Sequence, residues 1–175
     1  MRRGLDRLYD LAGAIAALAI LAICLLVSAQ IVLNILARLG GPGLSYTIPS
    51  YAQFAGFMLA SASFLALAHT LRRGGHIRVG LLTDRLPLTA RWVMEMLALA
   101  LAAAMTAFAT WYTGALVLES LHYGDRSTGM VSIPLWTVQV PVAAGLAILT
   151  IAFVHTLIES IMARGPVMID AGGAE

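Results

Sequence analysis

Four long stretches of this chain contain no charged residue, and they restrict its fold more than any other feature. They are residues 11–37, 39–71, 96–118 and 127–158. Each stretch can supply the roughly 20 apolar residues that a helix needs to cross a bilayer. The apolar runs are continuous rather than alternating, so β-barrel strands are not expected. We therefore predict an all-α integral membrane protein whose four transmembrane helices lie near residues 11–36, 50–71, 93–118 and 134–159.

The composition of the chain indicates the same class of protein. Of its 175 residues, 60% are hydrophobic and 11% are charged, whereas about 25% of residues are charged in an average soluble domain. The formal net charge of +2 is too small to indicate binding to nucleic acid. No linker divides the sequence, so we expect one membrane domain over residues 1–175, ending in a loose tail at residues 165–175.

The first apolar stretch has some features of a cleaved secretory signal. Basic residues precede it, and Val27-Ser28-Ala29 resembles a cleavage site. The apolar region of a signal is about 7–15 residues long, whereas here apolar residues continue as far as Leu36. We therefore favour a transmembrane helix that is retained.

The arginines predict how the chain is oriented. All eleven basic residues are arginines. Three precede the first span, five lie between the second and third spans, and one follows the fourth span. The remaining two connections hold one arginine each. Because cytoplasmic loops carry the excess of basic residues, we predict that both termini and the middle connection are cytoplasmic.

The sequence lacks the motifs of several enzyme classes. It contains neither a GxxxxGK[ST] phosphate loop nor an HExxH metal motif. The single Cys24 excludes a cysteine-based metal cluster within the chain. We therefore predict no catalytic, metal-binding or cofactor-binding residues, and we do not expect an enzyme.

No Asp, Glu or Arg lies in the middle third of any predicted span. Proton-coupled pumps and exporters generally place an ionisable residue there, because a group in the membrane must carry the ion. This absence makes the chain alone a poor candidate for a transporter, including a small self-assembling exporter.

A few polar residues inside the spans allow more than one interpretation. Gln30 and Asn34 share one face of the first helix. They could contact a solute, but we favour hydrogen bonds to a neighbouring helix. His69 and His155, toward the inner ends of the second and fourth spans, could ligate a haem. That pair gives an alternative function, a haem-bearing membrane anchor of a respiratory enzyme, although packing or interfacial roles are favoured.

The middle connection begins with Arg72-Arg73-Gly74-Gly75-His76-Ile77-Arg78. Its two glycines should end the second helix. The following apolar residues could share one helical face opposite the charged ones, namely Ile77, Leu81, Leu82 and Leu86. This pattern fits a short amphipathic helix near residues 77–86 in the cytoplasmic interface, or an ordinary basic loop.

Three short stretches, in order, carry a resemblance to a known family. The first helix ends with Asn34 and Arg38. The middle connection has Gly74-Gly75-His76-Ile77-Arg78-Val79 followed by Leu86-Pro87, and the last third has Pro134-Leu135-Trp136 with Pro141 and Gly145. Together they resemble the small membrane subunit of tripartite ATP-independent periplasmic (TRAP) transporters, the DctQ-like small permease, over roughly residues 8–160. The chain departs from the family pattern at Gln53, where acids are frequent, and at Gly80, where Asp is common.

The resemblance implies a subunit that supports transport without catalysis. Such a chain would stabilise a large multi-span permease that imports organic acids (carboxylates), driven by an ion gradient, typically of sodium. The implied partners are that permease, a periplasmic substrate-binding protein and membrane lipids, but no nucleic acid. The implied location is the bacterial inner membrane.

Twelve residues are candidate contacts with other subunits or between helices, because they carry the resemblance or are polar or basic near the span ends. They are Gln30, Asn34, Arg38, Arg72, Arg73, Gly75, His76, Ile77, Arg78, Pro134, Trp136 and Gly145.

Overall fold

The computed structural model describes residues 2–40, 46–73, 87–163 and Gly165. These residues form four helices: α1 (Arg2–Gly40), α2 (Tyr51–Arg72), α3 (Leu88–Tyr123) and α4 (Trp136–Ala163). All four are long and apolar enough to cross a membrane. Within the described ranges, the β structure is one isolated bridge between Arg126 and Pro134. The predicted all-α fold with four spans is confirmed.

Helices α1 and α3 extend well beyond the predicted spans. α1 has 39 residues, or about 58 Å at 1.5 Å per residue, nearly twice the roughly 30 Å of a bilayer's hydrocarbon core. A charge-free stretch marks the part of a helix inside the membrane, whereas charged turns on either side remain helical. α3 begins directly after Pro87 and ends at Tyr123, followed by Gly124, whose φ of 68° gives a left-handed cap.

The helices pack in an open row rather than a closed bundle. α1 packs along α2, α2 along α4, and α4 along α3, whereas α1 reaches α4 at only a few positions. The order in space is therefore α1, α2, α4, α3. Because the row is one helix thick, α1 and α3 each turn most of their circumference outward.

Small residues form the contact between α1 and α2. Ala12 and Ala16 on α1 are buried against Ala62 and Leu65 on α2. Small side chains allow the backbones of membrane helices to approach closely. The large apolar residues of α1 instead face outward, such as Leu25, which is 62% exposed.

Gly145 lies where α4 packs closely against the backbone of α2. A Cβ atom at this position would lie 2.5 Å from the carbonyl carbon of Phe64 and 2.9 Å from the amide nitrogen of Leu65. These are backbone atoms, so no rotamer change can make room. Gly145, one of the candidate contacts, therefore lies at an interface between two helices of this chain.

The variant Gly145→Ala should destabilise the protein by about 1–3 kcal/mol, because the added methyl group forces α2 and α4 apart. The measurement is the thermal unfolding midpoint of the purified chain. Gly114→Ala on α3 is the matched control, since a Cβ there meets no atom within 4 Å. The control should leave the midpoint unchanged or raise it slightly. Equal midpoints for the two variants would contradict the close approach at Gly145.

Candidate functional site

Charged side chains gather where α1 begins and where α2 and α4 end. We call this region the ion-pair end. Nη1 of Arg72 on α2 donates hydrogen bonds to Oε2 of Glu159 at 2.7 Å and to Oγ1 of Thr156 at 3.3 Å, both on α4. Its Nη2 lies 4.0 Å from Oδ1 of Asp6 on α1. A single guanidinium group therefore connects three helices.

Asp10 on α1 makes a second set of contacts with the end of α2. Its Oδ1 lies 3.2 Å from Nη2 of Arg73 and 3.3 Å from Nδ1 of His69. The Arg73 side chain is 69% exposed, whereas that of Arg72 is 23% exposed. Exposed ion pairs contribute little to stability, so we expect the Arg72 contacts to be the stronger link between helices.

Trp92 provides the corresponding contact between α3 and α4. Its indole Nε1 donates to Oγ of Ser160 at 3.1 Å and to the carbonyl oxygen of Ser160 at 3.2 Å. Each packed pair of helices in the row is therefore joined by side-chain hydrogen bonds at the ion-pair end.

The aromatic residue Tyr9 lies beside these charged side chains. Tyr9 on α1 is 2% exposed, and its ring centroid lies 6.4 Å from that of His155 on α4. Nε2 of His155 is 3.6 Å from Oε1 of Glu159. Each histidine of the haem alternative therefore has a carboxylate beside it, Asp10 for His69 and Glu159 for His155. Within the described ranges, His, Cys, Asp and Glu form no group of three that could hold a metal ion.

Two of the candidate residues, Pro134 and Trp136, shape the opposite end of the row. Here residues 124–135 fold back on themselves, because Ser127 N donates to Ile133 O at 2.8 Å and Leu135 N to Asp125 O at 3.0 Å. We call this region the hairpin end. Pro134 lies in its isolated bridge, and Trp136 begins α4 with 39% of its surface exposed.

The hairpin end is hydrogen-bonded to the residue that precedes α2 and packs against the first turn of that helix. Val131 N donates to Oγ of Ser50 at 3.0 Å, and Ser50 adopts a left-handed conformation with φ of 56°. Gly129 packs against the side-chain amide of Gln53, and a Cβ there would collide with its Oε1. The connection between α3 and α4 therefore rests on the beginning of α2.

Gln30 has hydrogen-bond partners different from those expected. It is 2% exposed. Its Nε2 donates to Oδ1 of Asn34 at 2.9 Å, and its Oε1 accepts from the backbone N of Ile48 at 2.9 Å. Among the described residues, these partners lie in its own helix and in the connection to α2, not in a neighbouring helix. Gln30 thereby fixes the connection that leads from α1 to α2, while Asn34 and Arg38 are exposed.

Four candidates, Gly75, His76, Ile77 and Arg78, lie outside the described residues, as does the amphipathic helix predicted near residues 77–86. Several side chains of the ion-pair end are not among the candidates predicted from the sequence, namely Asp6, Asp10, Trp92, Glu159 and Ser160. One feature of the sequence indicates two of them. Asp6 and Asp10 are one turn apart at the same predicted membrane side as Arg72 and Arg73.

Replacing Arg72 by Gln should lower the free energy of unfolding by about 1–3 kcal/mol, because Glu159 loses a charged partner in a sheltered position. Unfolding of the purified protein, monitored by circular dichroism, measures this. In an E159Q background the same replacement should cost less, since the two side chains are coupled. The control R126Q removes an exposed arginine at the hairpin end and should change stability by no more than about 0.5 kcal/mol. A loss in R72Q no larger than in R126Q would contradict the link.

Comparison with protein families gives a match over most of the chain. The family described as tripartite ATP-independent periplasmic transporters, DctQ component, matches residues 23–163. The matched region includes the second half of α1 and all of α2, α3 and α4. Comparison with curated proteins and with solved structures finds no match. The family match confirms the resemblance seen in the sequence, and the chain belongs to the family of DctQ components, the small membrane subunits of TRAP transporters.

Proposed function

We propose that this chain is the non-catalytic scaffold subunit of a secondary importer of organic acids that uses an ion gradient, typically of sodium. The large permease subunit would move the solute, and a periplasmic binding protein would deliver it. This chain would hold the large subunit in place in the bacterial inner membrane. Membership of the DctQ family supports a role as a TRAP subunit, and the distribution of polar groups supports the division of labour.

The observation that carries the proposal is the absence of Asp, Glu and Arg from the middle of the four spans. A subunit that moves an organic anion or couples it to an ion needs polar groups within the membrane. The three threonine hydroxyls in the span of α3 do not serve this purpose, because each donates to a carbonyl oxygen of its own helix. Thr106 donates to Ala102, Thr110 to Thr106 and Thr113 to Ala109.

Helix continuity supports the same division of labour. Transport sites in secondary transporters are typically formed by broken helices, whose unwound backbone coordinates substrate and ions near the middle of the membrane. In contrast, α1–α4 are continuous through their spans, and Pro141 lies within α4 without ending it. We infer that the broken helices of the working transporter belong to another subunit.

The open row supports a role in packing against a larger protein. α1 and α3 present large apolar side chains outward along their length, including Leu18, Leu25, Leu101 and Phe108, each more than 60% exposed. The hydrogen bonds that join the helices at the ion-pair end do not involve those outward faces. Both faces are therefore open to lipid or to apolar helices of the permease.

We further propose that the ion-pair end is cytoplasmic and the hairpin end periplasmic. The positive-inside rule supports this orientation, because nine of the eleven arginines then lie on the cytoplasmic side. The contacts of the two histidines favour packing roles over the haem-bearing anchor, because the His69 ring packs against Gly13 and the His155 ring lies beside Tyr9.

Reconstitution into proteoliposomes tests the proposal. A labelled mixture of mono- and dicarboxylates, with the periplasmic binding protein and an inward sodium gradient, should be taken up by vesicles holding the large permease and this chain together. Vesicles with this chain alone should show no uptake, and those with the permease alone should lose most of it.

Two results would overturn the assignment. Uptake by this chain alone would show that it carries solute. Full uptake and full thermal stability of the permease without this chain would show that it is not a scaffold. Repeating the assay with a potassium gradient distinguishes a wrong coupling ion from a wrong role.

A further inference from the structure

A polar pocket of about 240 Å³ opens at the ion-pair end between α1 and α2. It is lined by Asp6, Tyr9, Asp10, His69, Arg72 and Arg73. The pocket lies where both helices change from charge-free to charged sequence, since residues 11–37 and 39–71 carry no charge. That change marks the depth at which acyl chains give way to lipid headgroups. We propose that this pocket binds the phosphoethanolamine headgroup of a membrane phospholipid.

Tyr9 is the observation that points to a ligand. The residue is 2% exposed, and its hydroxyl is buried with no hydrogen-bond partner in the described part of the chain. Leaving a buried hydroxyl unpaired is unfavourable. A ligand oxygen in the pocket that Tyr9 lines would accept this hydrogen bond.

The charged groups of the pocket determine which ligand fits. Arg73 is 69% exposed and approaches Asp10 through Nη2. Because a guanidinium group carries five N–H donors in a fork that matches phosphate, Arg73 keeps donors for a phosphate group. Asp6 is 52% exposed and lies 4.0 Å from Arg72, so its carboxylate can accept hydrogen bonds from an ammonium group.

A ligand with a single charge would be opposed by half of these groups. A free phosphate would lie beside the Asp6 and Asp10 carboxylates, and a simple amine beside two guanidinium groups. A zwitterion satisfies both sets, with its phosphate on Arg73 and Tyr9 and its ammonium on Asp6. Phosphatidylethanolamine carries this group at this depth. Phosphatidylcholine has no N–H to donate, and phosphatidylglycerol has no cation.

The experiment measures lipid binding to the purified full-length chain by native mass spectrometry, with the three lipids carrying identical acyl chains. Phosphatidylethanolamine should bind about tenfold more tightly than either other lipid, because it alone places a positively charged N–H donor against the Asp6 carboxylate. Equal binding of all three lipids, or a preference for phosphatidylglycerol, would overturn the proposal.

Variants separate binding from folding. Y9F should weaken phosphatidylethanolamine binding about fivefold, yet leave the unfolding midpoint in detergent unchanged or slightly higher, since the hydroxyl has no described partner to lose. D6N should weaken phosphatidylethanolamine binding but not phosphatidylglycerol binding, which should stay the same or strengthen because one carboxylate beside the phosphate loses its charge. R126Q at the hairpin end is the matched control and should bind like the wild type. Unaltered binding in both Y9F and D6N would overturn the pocket assignment.

Competition with soluble phosphoethanolamine tests whether the pocket binds a whole lipid or only the free headgroup. At millimolar concentration it should displace little of the bound lipid, because the acyl chains add apolar contacts that the free headgroup lacks. Complete displacement would overturn the assignment to a lipid.

Discussion

The row of helices depends on the contact between Arg72 and Glu159. In a bilayer, the hydrophobic effect holds each helix in the membrane but does not hold helices to one another, because lipid tails are as apolar as the side chains. Association therefore needs close packing and hydrogen bonds. Arg72 reaches α4 through Glu159 and Thr156 and lies near Asp6 of α1, so it joins the two central helices to one flank. Gly145 supplies the close packing between the same central helices.

This arrangement separates the polar groups from the surface offered to a partner. The contacts between helices include the small residues Ala12, Ala16 and Gly145 and the hydrogen bonds of the ion-pair end. The outward faces of α1 and α3 remain apolar and free of charge through the membrane. A chain built in this way is suited to support another membrane protein, because it can pack against that protein without giving up any contact that holds its own helices together.

The sequence predicts the four spans because the length of a charge-free stretch is a local property that a membrane helix must satisfy. It does not predict the packing order, because alanines lie on several faces of the helices and only the fold selects which are buried, such as Ala12 and Ala16 on α1. It identifies Arg72 as a candidate but not its partner Glu159, which is 87 residues away. The partner of Gln30 is not predictable either, because its Oε1 accepts a hydrogen bond from a backbone N–H in the connection that follows α1.

The most direct test asks what covers the outward faces in the native membrane. A photoreactive benzoylphenylalanine would be placed at Leu25 on α1 or Leu101 on α3, which are 62% and 63% exposed, and at Leu99, which is 3% exposed, as the buried control. If the chain is a scaffold subunit, irradiation of intact cells should join at least one exposed position to a single, much larger multi-span membrane protein, whereas Leu99 should yield no such product. Attachment only to lipid at both exposed positions would contradict the account.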